Sequence, residues 1–179
     1  MQLPYEEVVK MGKMSHVGIV VKDMDRAVEY YSSVLGLGPF ERSTFEFDDF
    51  VYRGRGTRVR VEAGLAQCGE VFIELVHVLE GETPHTDFLR EKGEGIQHIA
   101  FWVKGLDDIL ARMATRGIVP VSRYKVPLPP PSTAPEPGKN YTLEMEEAYL
   151  DSEGIGGAMV QLMEMRKVPL GETSERSVA

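Results

Sequence analysis

The sequence predicts an α+β fold: two tandem βαβββ modules whose strands form one shared, concave, mostly antiparallel sheet. Three observations predict it. The first is an internal repeat. His16-Val17-Gly18-Ile19-Val20-Val21-Lys22 returns as His98-Ile99-Ala100-Phe101-Trp102-Val103-Lys104, and Asp25 returns as Asp107 on the same offset. The second is that the unit ends also match, Val71-Phe72-Ile73-Glu74-Leu75 with Ala158-Met159-Val160-Gln161-Leu162. The third is that each copy has one helical stripe, directly after its first strand, and strand-like alternation elsewhere.

The elements follow in order. His16 to Val21 is short and β-branched, as a buried strand should be. Asp23 is an N-cap, and Met24, Ala27, Val28, Tyr31 and Leu35 follow at helical spacing until Gly36 or Gly38 stops the helix. Thr57 to Leu65 and Glu70 to Val78 alternate as strands. Thr83-Pro84 opens a short helix, with proline at its first position, that ends at Gly93. In the second copy Leu106, Ile109, Leu110 and Met113 repeat the helical stripe and Gly117 ends it. Residues 127–137 hold six of the eleven prolines and are expected to be a loop, either a surface insertion or a lid. The chain thus divides into an N-terminal extension (1–13), a first module (14–80), a linker with a helix (81–95), a second module (96–166) with a proline-rich insertion (121–140), and a disordered tail (167–179).

Composition narrows the function. The 179 residues carry 20 basic against 28 acidic side chains, a net charge of −8 that argues against a nucleic-acid partner. No apolar run is long enough to span a bilayer, so no membrane partner is expected. The single cysteine, Cys68, cannot form an internal disulfide, and a cytoplasmic location is the expectation.

Strand alternation places His16 and His98 at the start of the first strand of each module, on the face away from the helix. Glu74 and Gln161 occupy equivalent positions in the last strands. If the modules pair about a pseudo-twofold axis, these four residues meet. Two imidazoles, a carboxylate and an amide oxygen can bind a divalent metal and leave positions open. The alternative is a set of core polar residues bonded to backbone.

These residues, with Tyr30-Tyr31 before Leu35-Gly36-Leu37, Gly93-Glu94-Gly95-Ile96-Gln97-His98-Ile99-Ala100-Phe101 and Gly156-Gly157-Ala158-Met159-Val160-Gln161-Leu162, resemble the vicinal oxygen chelate superfamily, which includes glyoxalase I and methylmalonyl-CoA epimerase. The resemblance covers about 150 residues, and the stretch from Phe88 to Phe101 looks most like the epimerase branch. It implies paired βαβββ modules, one divalent ion (cobalt, nickel, manganese, zinc or iron) on His16, Glu74, His98 and Gln161, and a homodimer. The sequence departs from the family at Gln161, where glutamate is usual, while Glu74 stands where the epimerases can carry glutamine. One carboxylate rather than two leaves a metal-loaded site with net positive charge, suited to an anionic enolate.

The chemistry so implied is proton abstraction beside a chelated carbonyl, as in an isomerase or epimerase. Glu62 is the first candidate base, on the premise that Val59, Val61 and Ala63 face the helix. Glu74 is a second. Tyr149 is expected to line the pocket. Arg60, in a run of four arginines from Arg53, is a candidate to hold the phosphate or carboxylate of a small-molecule substrate such as an acyl-CoA or a thiol adduct; an exposed basic hairpin is the alternative. His77 is read as structural and His85 as exposed. The alternatives to the epimerase are a glyoxalase-type lyase and a nonenzymatic small-molecule-binding member of the superfamily. An extradiol-type dioxygenase is disfavoured because its final carboxylate would fall at Gln161.

Overall fold

The structure is a computed structural model that describes residues 10–128, 138, 140–152 and 156–170. The first half runs β1 (Met14–Val20), α1 (Met24–Ser33), β2 (Glu41–Tyr52), β3 (Arg55–Cys68) and β4 (Val71–Glu80). Helix α2 (Pro84–Lys92) links it to β5 (Gly95–Trp102), α3 (Leu106–Ala114), β6 (Pro120–Val126), β7 (Tyr141–Leu150) and β8 (Met159–Pro169). Most of the expected proline-rich loop and of the expected tail lies outside the described residues. Among the described residues no helix is long and apolar enough to cross a membrane.

The strands form one mixed sheet in the order β1-β4-β3-β2-β6-β7-β8-β5, with β5 returning to β1. The pairs β1–β4 and β5–β8 are parallel and the remaining neighbours antiparallel. The expected concave sheet is therefore corrected to a closed, barrel-like one. The reason is strand length. β2 and β3 form a long hairpin that carries Tyr52 across to Ser122 of β6, which closes the far side through a single paired position.

Helices α1 and α3 pack on the outside of the sheet. Asp23 caps α1 by accepting from the backbone N–H of Arg26, and Met24, Ala27, Val28 and Tyr31 meet Ile19 and Leu75. In the second half Leu106, Ile109 and Leu110 pack on Ala148, Leu150 and Leu162. Leu75, Leu106 and Leu162 are fully buried, and truncating any of them to alanine should cost about 2–5 kcal/mol. Since the odd residues of β4 and the even residues of β7 serve these outer cores, their neighbours point into the barrel.

The repeat extends to charge. In the first half Arg42 bonds both Asp25 of α1 and Glu62 of β3. In the second Arg123 bonds both Asp107 of α3 and Glu146 of β7. Each triad ties a helix to the sheet it covers.

Candidate metal centre

The interior of the barrel is a cavity of about 260 Å³. His16 and His98 enter it from the antiparallel pair β1–β5, in which His16 lies across from Ala100 and His98 across from Gly18. A small residue opposite each imidazole leaves it room to turn inward. Their Nε2 atoms are 3.1 Å apart. Glu74, from β4, places Oε2 3.3 Å from His16 Nε2 and 3.2 Å from His98 Nε2. Nitrogen and oxygen ligands held about 2.1 Å from one ion stand roughly 3–3.4 Å apart, so these three atoms have metal-ligand spacing.

The surroundings fit the same use. His98 donates through Nδ1 to Oε1 of Gln97, 2.7 Å away, which turns Nε2 toward the shared point. Gln161 of β8 is buried and donates through Nε2 to Oε2 of Glu147, at 2.8 Å. Its Oε1 is buried with no hydrogen-bond partner among the described residues, an acceptor that a cation would satisfy. Two imidazoles and a carboxylate at this spacing could hold a divalent ion.

Burial opposes the charge of Glu74, but His16 and then His98 outweigh it and hold the carboxyl well below the usual carboxylate range. Burial likewise lowers the pKa of His16, and Glu74 outweighs it, so the net shift is upward. For His98 burial wins and the shift is downward. A carboxylate held this firmly ionised is weakly basic and suited to face a cation.

Two expected site residues lie elsewhere. Glu62 points to the helix side, bonded to Arg42 and 3.9 Å from His77. Its neighbours Val61, Ala63 and Leu65 line the cavity instead. The premise that the apolar phase of β3 faces the helix is corrected because the cavity is itself apolar there, while the outer face offers Arg42 as a partner. Arg60 is also on the outer face, paired with Glu46 at 3.3 Å, and does not line the cavity. Tyr149 does line it, buried edge-on against the rings of both His98 and His85.

Three cavity residues were not foreseen. His85, read as exposed, is buried at the start of α2, its ring stacked on that of His98 with centroids 5.6 Å apart. Burial, and then His98, push its pKa down to about 3, so it is neutral. Tyr124 of β6 donates to Oε2 of Glu147 at 2.7 Å. Glu147 of β7 is buried in the cavity wall, and burial pushes its pKa up to about 7. It sits two residues from Tyr149 on the same strand face, which is the signal that would have found it.

Residues 15–128 match the family described as the glyoxalase/bleomycin resistance protein/dioxygenase superfamily, and the chain belongs to that superfamily. Among its relatives is the uncharacterized protein YqjC of Bacillus subtilis (strain 168), 27% identical over 154 residues, 86% of this chain and 93% of the relative. The mitochondrial methylmalonyl-CoA epimerase of Mus musculus is 28% identical over 98 residues, 54% of this chain and 49% of that protein. The crystal structure of methylmalonyl-CoA epimerase from Mycobacterium tuberculosis shares the fold, with a TM-score of 0.52 and 24% identity over 84% of this chain and 86% of that one.

Proposed function

We propose that the protein is a divalent-metal-dependent isomerase or epimerase that moves a proton at a carbon beside a carbonyl, with His16, Glu74, His98 and Gln161 holding the ion and Glu147 moving the proton. The observation that carries this reading is the meeting, in one cavity, of three atoms at metal-ligand spacing with a carboxyl whose pKa is near neutrality. The epimerase relative supports the reaction class. When bound, the ion stabilises negative charge developing on a substrate oxygen.

The chain supplies the rest. Both hydrogen bonds to Glu147 reach Oε2, so Oε1 is the atom that takes the proton. The C–H electron pair passes to the carbonyl oxygen; return of the proton by Glu147 to the same face gives retention, and inversion requires the enolate to turn its other face to Glu147 before the proton returns. Tyr124 and Gln161 fix the carboxyl, and a carboxyl poised near the working pH is the efficient one for this exchange. Tyr149 and His85, buried and neutral, exclude water from this end of the cavity.

The test is proton exchange. Metal-loaded protein is incubated in deuterium oxide with acyl thioesters and 2-oxo acids, and deuterium beside the carbonyl is read by mass spectrometry. Incorporation that the Glu147→Gln variant loses by about 100-fold or more is expected. Incorporation no faster than with that variant, on every compound that binds, would remove the reading.

A further inference from the structure

The cavity has two unlike ends. Around Glu74 and Glu147 it is polar. Across the barrel from β1 and β5, Phe45 and Phe47 of β2, Val61 of β3, Val126 of β6 and Met145 of β7 line the remaining wall. Tyr124 completes this end. Its ring meets Phe47 edge-on with centroids 5.1 Å apart and is backed by Phe50 at 4.9 Å, while Phe47 and Phe50 meet at 5.7 Å. Edge-to-face rings at these spacings make a firm wall suited to another ring. Met145 adds a polarisable thioether that adapts to a ligand's outline.

Among the described residues that line the cavity none is lysine or arginine. Among the described residues, Arg58 and Arg60 are engaged on the outer face with Glu46, and Arg42 with Glu62 and Asp25. A carboxylate taken into the apolar end would lose its water without gaining a partner, which is strongly unfavourable. Size points the same way. An apolar cavity of about 150 Å³ holds benzene. The 260 Å³ here has room for a ring and a short carbonyl head.

We infer that the substrate carries an uncharged aryl or branched-alkyl group beside its reacting carbon, seated against Phe45, Phe47 and Tyr124, and that a second carboxylate at that place is rejected. The inference rests on the proton-transfer reading for which end of the ligand meets Glu147. Phe45 and Phe47 are the residues that set this specificity.

Four 2-oxo acids with one shared head test it: pyruvate, 4-methyl-2-oxopentanoate, phenylpyruvate and 2-oxoglutarate. Binding to metal-loaded protein is measured by calorimetry and by the fluorescence of Trp102, the chain's one tryptophan, which lines the cavity. Phenylpyruvate and 4-methyl-2-oxopentanoate are expected to bind about thirty-fold more tightly than pyruvate, and 2-oxoglutarate no more tightly than pyruvate. Phe45→Arg should raise the affinity for 2-oxoglutarate above that for pyruvate. Affinities of all four within about three-fold of one another, or 2-oxoglutarate the tightest on the unaltered protein, would overturn the inference. The two readings fail separately. Aryl preference without deuterium exchange removes the reaction and leaves the specificity. Exchange on a methylmalonyl thioester without aryl preference does the reverse.

Discussion

Gly18 lies directly across from His98 in the β1–β5 pair, and a Cβ built on Gly18 would fall within the imidazole of His98. The backbone there is not left-handed, so the requirement for glycine is one of space. Gly18→Ala should therefore displace a proposed metal ligand without altering one. The expected outcome is a folded protein, destabilised by about 1–3 kcal/mol, that retains less than roughly a tenth of the metal bound by the unaltered chain under the same loading. Elemental analysis with circular dichroism reads both. Full metal retention would show that His98 does not serve the ion from this position.

Gly18 and His98 are also instructive about what the chain reveals on its own. Both lie in the repeated first strand, and the period-two alternation of β1 and β5 is enough to put His16 and His98 on one face. Helix α2 was equally legible, since Thr83 and Pro84 signal its start. The alternation of β3 was just as clear, but its phase was not. Val61 and Ala63 could face a helix or an apolar cavity, and only the closure of the barrel decides between them. Glu147 was hidden for a related reason. It stands in the acidic run Glu144–Glu147, where one carboxyl faces Arg123 and the next faces the cavity. His85 gave no signal at all, because its burial depends on α2 covering one end of the cavity.

Glu62 and Glu146 occupy corresponding places in the two halves, and each closes an Asp–Arg–Glu triad on the outer face. Their side-chain exposures are 16% and 7%. Removing the more buried member leaves the more poorly solvated arginine. Glu146→Ala is thus expected to cost about 2 kcal/mol and Glu62→Ala about 1 kcal/mol or less, with metal content unchanged in both. Denaturant melts give the ranking. A loss of proton exchange in a folded Glu62→Ala variant would return Glu62 to the site.

Glu164 caps α3 from a different strand. Gly105, the N-cap residue, has no side chain to offer, and Glu164 of β8 accepts from the backbone N–H of Gly105 and of Leu106. Burial raises its pKa, but the bond from Arg166 and those two amides outweigh burial, so the net shift is downward. A carboxyl lowered on folding contributes stability above its unfolded pKa and loses it as pH falls toward its folded one. Glu164→Gln should cost about 1 kcal/mol at pH 7, and the difference should shrink as pH falls below roughly 4. Thermal melts across that range measure it, and a pH-independent gap would contradict the charge-based cap.

Glu147 is expected to behave in the opposite sense. Its carboxyl is raised on folding from 4.5 to about 7, chiefly by burial. Between those values the folded state binds the proton that the unfolded state has lost, so stability falls as pH rises through that window. Glu147→Gln removes the burden while keeping an oxygen to accept from Tyr124. The metal-free variant should therefore be more stable than the unaltered protein at pH 8, by on the order of 2 kcal/mol, with the gain fading toward pH 4. Proton exchange should show the complementary trend. On the unaltered protein the rate rises with pH as Glu147 loses its proton, and the variant should lack that rise. A variant that is stabilised yet exchanges protons at the full rate would separate the buried carboxyl from the chemistry. A variant that is neither stabilised nor slowed would show that Glu147 is already neutral and uninvolved.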